Sequence, residues 1–352
     1  MVDSKTNKKN IQQIGVLMKK DKIDFVMIWV DGSDPEWIKD KNKHMGIKDQ
    51  SANTVKNFRD YDILKYWFRA VEKYAPWVNN IYFVTCGHKP NWLNTNHPKL
   101  KFITHKDYMP ERYLPTFNSH TIELNLHRIK GLSEQFVYFN DDMMLMDYVE
   151  PEFFFEKGLP KDALKEDIQV FDKTTDLSYS YYQNNMLKLI NKHFDKKELI
   201  KNNFTKYFNL KYGKNLIKNI LLSFWSNIPG FDCDHMPNAY LKSTFNEVWE
   251  KEPDVLEKAS ITKFREVSDV SQFTMKLWQL YSGKFIPTST SKLGQFFILS
   301  DENEELYNFL KNPTKKMVCI NDGDHVEQFE KVKKELQDAL DVRLGEKSEF
   351  EK

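Results

Sequence analysis

Three short apolar runs each end in acid and amide side chains, and this repeated arrangement most limits the folds open to the chain. Residues 135–139, Gln-Phe-Val-Tyr-Phe, run into Asn140-Asp141-Asp142; residues 317–320, Met-Val-Cys-Ile, run into Asn321-Asp322-Gly323; residues 23–30 run into Asp31-Gly32-Ser33-Asp34. β-Branched and aromatic residues without clean alternation read as central strands, buried on both faces. In open α/β sheets ligands bind beyond the carboxyl ends of such strands, and hard oxygen ligands gathered there suit Mg²⁺ holding a phosphate. Asn and Asp also make ordinary turns, so a single triplet leaves metal and turn equally open. Three strands delivering acids and amides at the same kind of end point to one shared site.

The spacing between these runs predicts the layers. A polar segment over residues 39–56 reads as a loop, and Phe58-Arg59-Asp60 opens a helix with Asp60 as N-cap, the face Ile63, Leu64, Trp67, Phe68 and Val71, and a stop at Pro76. Residues 80–85 and 100–104 are further strands, the second meeting His105. A helix with Ile122, Leu126 and Ile129 on its core face follows, stopped by Gly131; Glu123 and His127 stand four residues apart on another face, as ligands or as a surface pair. Strands alternating with helices imply an α/β fold with a mostly parallel sheet flanked by helices.

From 172 to 291 helical periodicity dominates, with helices expected at 197–203, 216–224, 237–249 and 270–281: a helical insertion over the sheet's carboxyl edge. Within it Asp232-Cys-Asp-His235-Met-Pro237 sets a histidine among acids, and Arg265 offers a fork-shaped cation able to grip phosphate. A helix-cap histidine and a surface ion pair are the plainer alternatives. Residues 296–300 and 317–320 return to strand composition and are expected to complete the sheet; from 326 a charged helix with Phe329, Val332 and Leu336 on one side runs into a polar tail. The division expected is a flexible leader at 1–20, a catalytic core at 21–155 and 292–330, an acceptor-holding insertion at 156–291, and a charged helix and tail at 331–352.

With 52 Lys and Arg against 51 Asp and Glu, the net charge of +1 gives no field that would draw nucleic acid. Cys86, Cys233 and Cys319 are too few and scattered for a disulfide framework or zinc cluster, which fits a reducing compartment. No run approaches the roughly 20 apolar residues of a membrane span, and the first residues lack a signal peptide's apolar centre, so a cytoplasmic location is expected. Lysines bracketing Ile11, Ile14, Val16, Leu17 and Met18 suggest peripheral contact with the inner face of a membrane. A Gly-rich phosphate loop and a Gly-x-Ser-x-Gly elbow are both missing, which removes several enzyme classes. Nothing in the sequence sets the oligomeric state.

The segment Ile23-Asp-Phe-Val-Met-Ile-Trp-Val-Asp-Gly-Ser-Asp-Pro35 resembles the first signature region of the Stealth proteins, a family of sugar-1-phosphate transferases. Phe-Arg-Asp60, Tyr-Ala-Pro-Trp77, Pro-Asn-Trp-Leu93, Leu-Pro-Thr-Phe-Asn-Ser119 and Asn-Asp-Asp142 are similar to its second region, Asp-His-Met-Pro237 to its third and Cys-Ile-Asn-Asp322 to its fourth. Cys86 stands where the family often has an acid, and Tyr61 where it often has Asn. The resemblance implies a GT-A-like nucleotide-sugar fold. It also implies transfer of hexose-1-phosphate from a UDP-sugar to a hydroxyl of a glycan or lipid-linked oligosaccharide in capsule or cell-surface polysaccharide synthesis, with release of UMP. The alternative is a metal-dependent glycosyltransferase that moves the sugar alone and releases UDP. On that basis Asp141, Asp142, Asn321 and Asp322 are expected to hold Mg²⁺ or Mn²⁺, and Trp29, Asp31 and Gly32 to line the nucleotide pocket. Arg265, supported by Arg59, is expected to clamp the transferring phosphate, and His235 to act as general base with Asp60 as fallback.

Overall fold

The computed structural model describes residues 22–45, 60–170, 177–290, 293–323 and 326–352. Its centre is a five-stranded sheet whose strands lie side by side in the order 100–104, 81–85, 23–28, 135–139 and 238–241. β1 (Ile23–Ile28), β2 (Ile81–Thr85), β3 (Leu100–Thr104) and β4 (Gln135–Phe139) run parallel. β8 (Asn238–Leu241) closes the edge antiparallel to β4, with Tyr138 opposite Asn238. The period of two along each strand serves both faces. Phe25, Met27, Phe83, Val137 and Phe139 enter one core, and Val26, Tyr82, Val84, Phe136 and Tyr138 the other, which is why the strands are almost wholly apolar.

The first core is covered by α2 (Leu64–Tyr74) and the C-terminal helix α11 (Phe329–Leu344), the second by α3 (Ser119–Leu124), α7 (Lys242–Lys251), α8 (Pro253–Ile261) and α9 (Phe273–Tyr281). α1 (Pro35–Met45) follows β1. The 156–291 region also carries α4 (Leu177–His193), α5 (Lys196–Asn202) and α6 (Asn215–Leu222). β5 (Met143–Leu145), β10 (Gly294–Ile298) and β11 (Met317–Asn321) make a separate sheet in the order β10-β11-β5. β6 (Phe155–Glu156), β7 (Leu159–Asp162) and β9 (Ile286–Pro287) make a third. α10 (Glu304–Lys311) lies against α11. Among the described residues no helix is long and apolar enough to cross a membrane.

The expected α/β architecture, with a mostly parallel sheet and a largely helical 156–291 region, is present; several local expectations are not. Part of the loop expected at 39–56 is α1, because Asp34 caps it by accepting the Trp37 N–H at 2.8 Å and Pro35 presets the first helical φ. Asp60 is not the N-cap of α2: the chain turns at Asp62, φ 56°, and the Asp60 carboxylate accepts the Asp62 N–H at 2.7 Å while Ile63 takes the cap position. The helix expected at 237–249 begins as β8, since the unsatisfied edge of β4 captures residues 238–241 before α7 starts. β10 and β11 do not extend the main sheet; β11 pairs with β10 on one side and on the other with β5, which directly follows Asp142. The polar tail folds back: Phe350 is buried, and Arg69 holds Glu351 through Nε–Oε1 at 2.7 Å and Nη2–Oε2 at 2.8 Å. The leader at 1–20, with its expected membrane-contacting residues, lies outside the described residues.

Candidate active site

In the main sheet the chain moves outward one way from β1 to β2 and β3, then returns to lay β4 on the other side of β1. The carboxyl ends of β1 and β4 therefore flank the point where the connections diverge, which opens a crevice in such sheets. Asp31 leaves β1 there and Asn140-Asp141-Asp142 leaves β4. The β11–β5 pairing brings a third acidic end alongside. Cys319 sits opposite Met143, and the Ile320 N–H donates to the Asp142 carbonyl at 2.8 Å.

Asp142 is the focus. Its Oδ2 lies 3.2 Å from His235 Nε2 and accepts from the Cys319 thiol at 3.3 Å, while its buried Oδ1 has no protein partner. Burial opposes a charged His235, but the hydrogen bond and charge of Asp142, with Glu123 behind, outweigh it and raise the imidazole's pKa; Arg265 acts the other way. Arg265 is exposed and anchored by donation from Nη2 to Ser119 Oγ at 2.9 Å. Its segment is fixed to the loop before α3. Phe117 and Phe264 stack at 5.2 Å, and the Asn118 amide donates to Thr262 Oγ1, the Phe264 carbonyl and Asp269 Oδ2.

Asp141 faces solvent, yet the crevice walls strip enough water from its carboxyl, with Asp142 and Asp60 adding repulsion, to push it up to about 7. Burial likewise raises Asp60, beside Asp62 and Asp31, although the Asp62 N–H and Lys333 pull it back. Charge links these groups pair by pair: Asp31 to Asp60, Asp60 to Asp141, Asp141 to Asp142, Asp142 to His235 and His235 to Arg265. Asp31 has a second duty: its Oδ1 accepts from Ser33 N–H and Oγ, and its N–H donates to His88 Nδ1 at 2.9 Å, holding the turn that contains Gly32. Trp29 packs along Phe83 at 5.9 Å as part of the wall.

Three residues expected at the metal stand differently. Asp322 accepts the Tyr61 hydroxyl at 2.7 Å, and Asn321 is exposed, with its carbonyl taking the Leu299 N–H at 2.8 Å. Among the described residues the side chains with ligand atoms within 4.8 Å of one another are Asp142, His235 and Cys319; Asp141 and Asp322 do not join that group. Arg59 lies outside the described residues. Cys319, two positions before Asn321, was legible only as a strand residue. Its thiol is pushed far up by burial and by Asp142, so it remains protonated and is a weak ligand. The Asp142 carboxylate, with its buried Oδ1 unpartnered, offers the kind of hard oxygen that Mg²⁺ or Mn²⁺ takes.

Glu123 and His127 do not pair. The helix breaks into a 3₁₀ turn at Leu126–Arg128, so Glu123 accepts the Tyr138 hydroxyl at 3.1 Å beneath the site while His127 packs on Phe245 and Trp249. Beside His235, a cleft lined by Asp234, Asn238, Lys276 and Thr290 contains a buried amide whose orientation is fixed. Asn238 Oδ1 accepts from Lys276 Nζ at 2.8 Å, which leaves Nδ2 without an acceptor. Sequence periodicity could not find this pair, because it joins β8 to α9 across 38 residues.

Comparison with known proteins bears on the family. The profiles described as Stealth protein conserved region 1 and conserved region 2 match residues 21–49 and 57–162. The capsular polysaccharide phosphotransferase WcwK of Streptococcus pneumoniae is 44% identical over 337 residues, 94% of this chain and 98% of that protein. The receptor polysaccharide phosphotransferase WefC of Streptococcus oralis is 42% identical over 94% of this chain and 99% of its own length. The exopolysaccharide phosphotransferase cps2G of Lactiplantibacillus plantarum is 40% identical over 94% and 96%. A solved structure of the galactosyltransferase LgtC aligns with 90% of this chain and 95% of its own at 10% identity and a TM-score of 0.36, too slight a likeness to argue from. With both signature regions present and near-full-length relatives above 40% identity, this chain belongs to the Stealth family of polysaccharide phosphotransferases.

Proposed function

We propose that the chain transfers hexose-1-phosphate from a UDP-sugar to a hydroxyl of a glycan or lipid-linked oligosaccharide. The observation that carries this reading is the Asp142–His235 pair at 3.2 Å, set at the carboxyl ends of β4 and β11, with Arg265 close enough to oppose the imidazolium. The acceptor oxygen attacks the phosphorus that bears the sugar, the bond from that phosphorus to the oxygen bridging it to the uridylyl phosphate breaks, and UMP leaves. The anomeric C–O bond is untouched, so configuration is kept without a glycosyl intermediate.

Such a reaction asks the protein mainly for positioning and charge. His235 takes the acceptor proton at Nδ1 when neutral, because Nε2 carries the hydrogen donated to Asp142. Asp142 orients the ring and stabilises the imidazolium once formed, and Asp60 is the second candidate base. Arg265, steadied by Ser119, holds the non-bridging oxygens of the transferred phosphate, with Arg59 as the expected second cation. Asp142, with Asp141, Asp322 and Asn321 around the crevice, would hold a divalent cation that neutralises diphosphate charge. Trp29, Asp31 and Gly32 form the wall assigned to the nucleotide. The cleft lined by Asp234, Asn238, Lys276 and Thr290, within the 156–291 region, is the part we assign to acceptor recognition.

Incubation with a panel of UDP-sugars, Mg²⁺ or Mn²⁺ and a glycan acceptor tests this by the product mass and the nucleotide released. A gain of hexose plus phosphate with UMP is the expected result. A gain of hexose alone with UDP assigns glycosyl transfer and overturns the reading.

A further inference from the structure

Residues 201–230 carry five lysines, at 201, 206, 211, 214 and 218, and no acidic residue, in a chain whose net charge is only +1. The same stretch exposes seven large apolar side chains: Leu210 at 87%, Phe224 at 85%, Leu221 at 62%, Ile217 at 61%, Phe204 at 60%, Trp225 at 55% and Ile220 at 45%. Ile217, Ile220, Leu221 and Phe224 recur at helical spacing along α6 and just past its end, so they share its outward side. The inward side is firmly seated. Leu222, Tyr207 and Tyr212 are buried, and Asn219 bonds the carbonyls of Leu164 and Tyr207 and the N–H of Glu166. A helix held this rigidly with an apolar outer face has that face for a reason other than its own folding.

We infer that this basic, apolar face docks the protein onto an anionic lipid bilayer surface. Charge selects the occupant. In a symmetric self-contact the same lysine-bearing patch would meet itself without a single acid from this stretch to compensate, whereas acidic headgroups are complementary and acyl chains accept the apolar residues. Lys201 and Lys218 meet Glu198 and Asp167 at the margins. Lys206 and Lys211 donate to the carbonyls of Gly283 and Pro287, contacts that leave their charge in place. α6 spans only 8 residues, too short to cross a bilayer, and so lies on it. The aromatic pair Phe224 and Trp225 sits where side chains settle at the headgroup boundary. A lipid-linked acceptor would thereby be met at the surface that bears it, but the docking itself does not depend on the reaction assigned above.

Vesicle co-sedimentation of the full chain tests the inference, with phosphatidylcholine alone against phosphatidylcholine containing about 30% phosphatidylglycerol. The native chain should bind the anionic vesicles, bind neutral ones at least about tenfold more weakly, and lose most binding near 0.5 M salt. The pairs Phe224→Ser with Trp225→Ser, and Lys211→Glu with Lys214→Glu, should each weaken binding at least about tenfold. Turnover on a soluble acceptor should be unchanged in both, which separates this inference from the proposed reaction. Three outcomes overturn it: no binding by the native chain, equal binding by both variants, or a native dimer in light scattering that the apolar variant abolishes, which assigns the face to a second copy.

Discussion

Replacing Asp142 by Asn removes one charge from the centre of the crevice and changes little else in shape. Asp142 Oδ2 stands 3.2 Å from His235 Nε2, and the two side chains are 21% and 38% exposed. Two unit charges at that distance interact by about 5 kcal/mol at an effective dielectric of 20 and about 1 kcal/mol in bulk water; for a pair this open, about 2 kcal/mol is appropriate. The imidazole pKa should therefore fall, since what remains is burial and Arg265, both of which oppose the imidazolium. The ring loses the group that orients it and that stabilises the positive charge it gains on accepting a proton. A preorganised interaction of this kind is worth about 3 kcal/mol in the transition state, so kcat should fall on the order of a hundredfold. Thermal stability should hold or rise slightly, because Asp142 Oδ1 is a buried oxygen without a partner and an amide relieves the cost of an unpaired charge there. The assay pairs product mass spectrometry under initial-rate conditions with an NMR titration of the His235 ring. Turnover within about threefold of native, with His235 titrating where it does in the native chain, would refute the assignment of this pair.

Two further results follow from particular contacts. At Gly323 a Cβ would sit 1.9 Å from the Leu299 carbonyl oxygen, so Gly323→Ala must part the turn after β11 from β10 and displace Asp322; a loss of about 2 kcal/mol or more by chemical denaturation, together with lowered activity, is expected. Burial holds His105 near pKa about 4, with His88 adding to it, and His127 at about 3, with Arg128 and Lys242 adding to it. Both are depressed below the unfolded value near 6.5, so the stability they support is present above pH 6.5 and lost as pH falls through the window down to their folded values. Between pH 7 and pH 5 each should cost about 2 kcal/mol of unfolding free energy, and a His127→Leu variant should lose about that much less than the native chain over the same interval.

The sequence by itself determined the strands and the ends they deliver. The run at 135–139 is β4 as read, 317–320 is β11 less its last residue, and 23–30 contains β1, because β-branched and aromatic runs bounded by turn-forming acids and amides admit little else. It also singled out Asp142 and His235, which the fold brings to 3.2 Å of each other. Tertiary structure decided which of these side chains meet. Asp142 lies with Cys319 because β11 pairs with β5, and that pairing depends on strand-edge geometry across more than 170 residues of chain that no local period encodes. The same holds for 238–241, whose helical pattern yields to the open edge of β4, and for α6, whose apolar residues satisfy the period of a core helix yet face outward. Periodicity reports which side of an element is apolar; only packing decides what that side is turned toward.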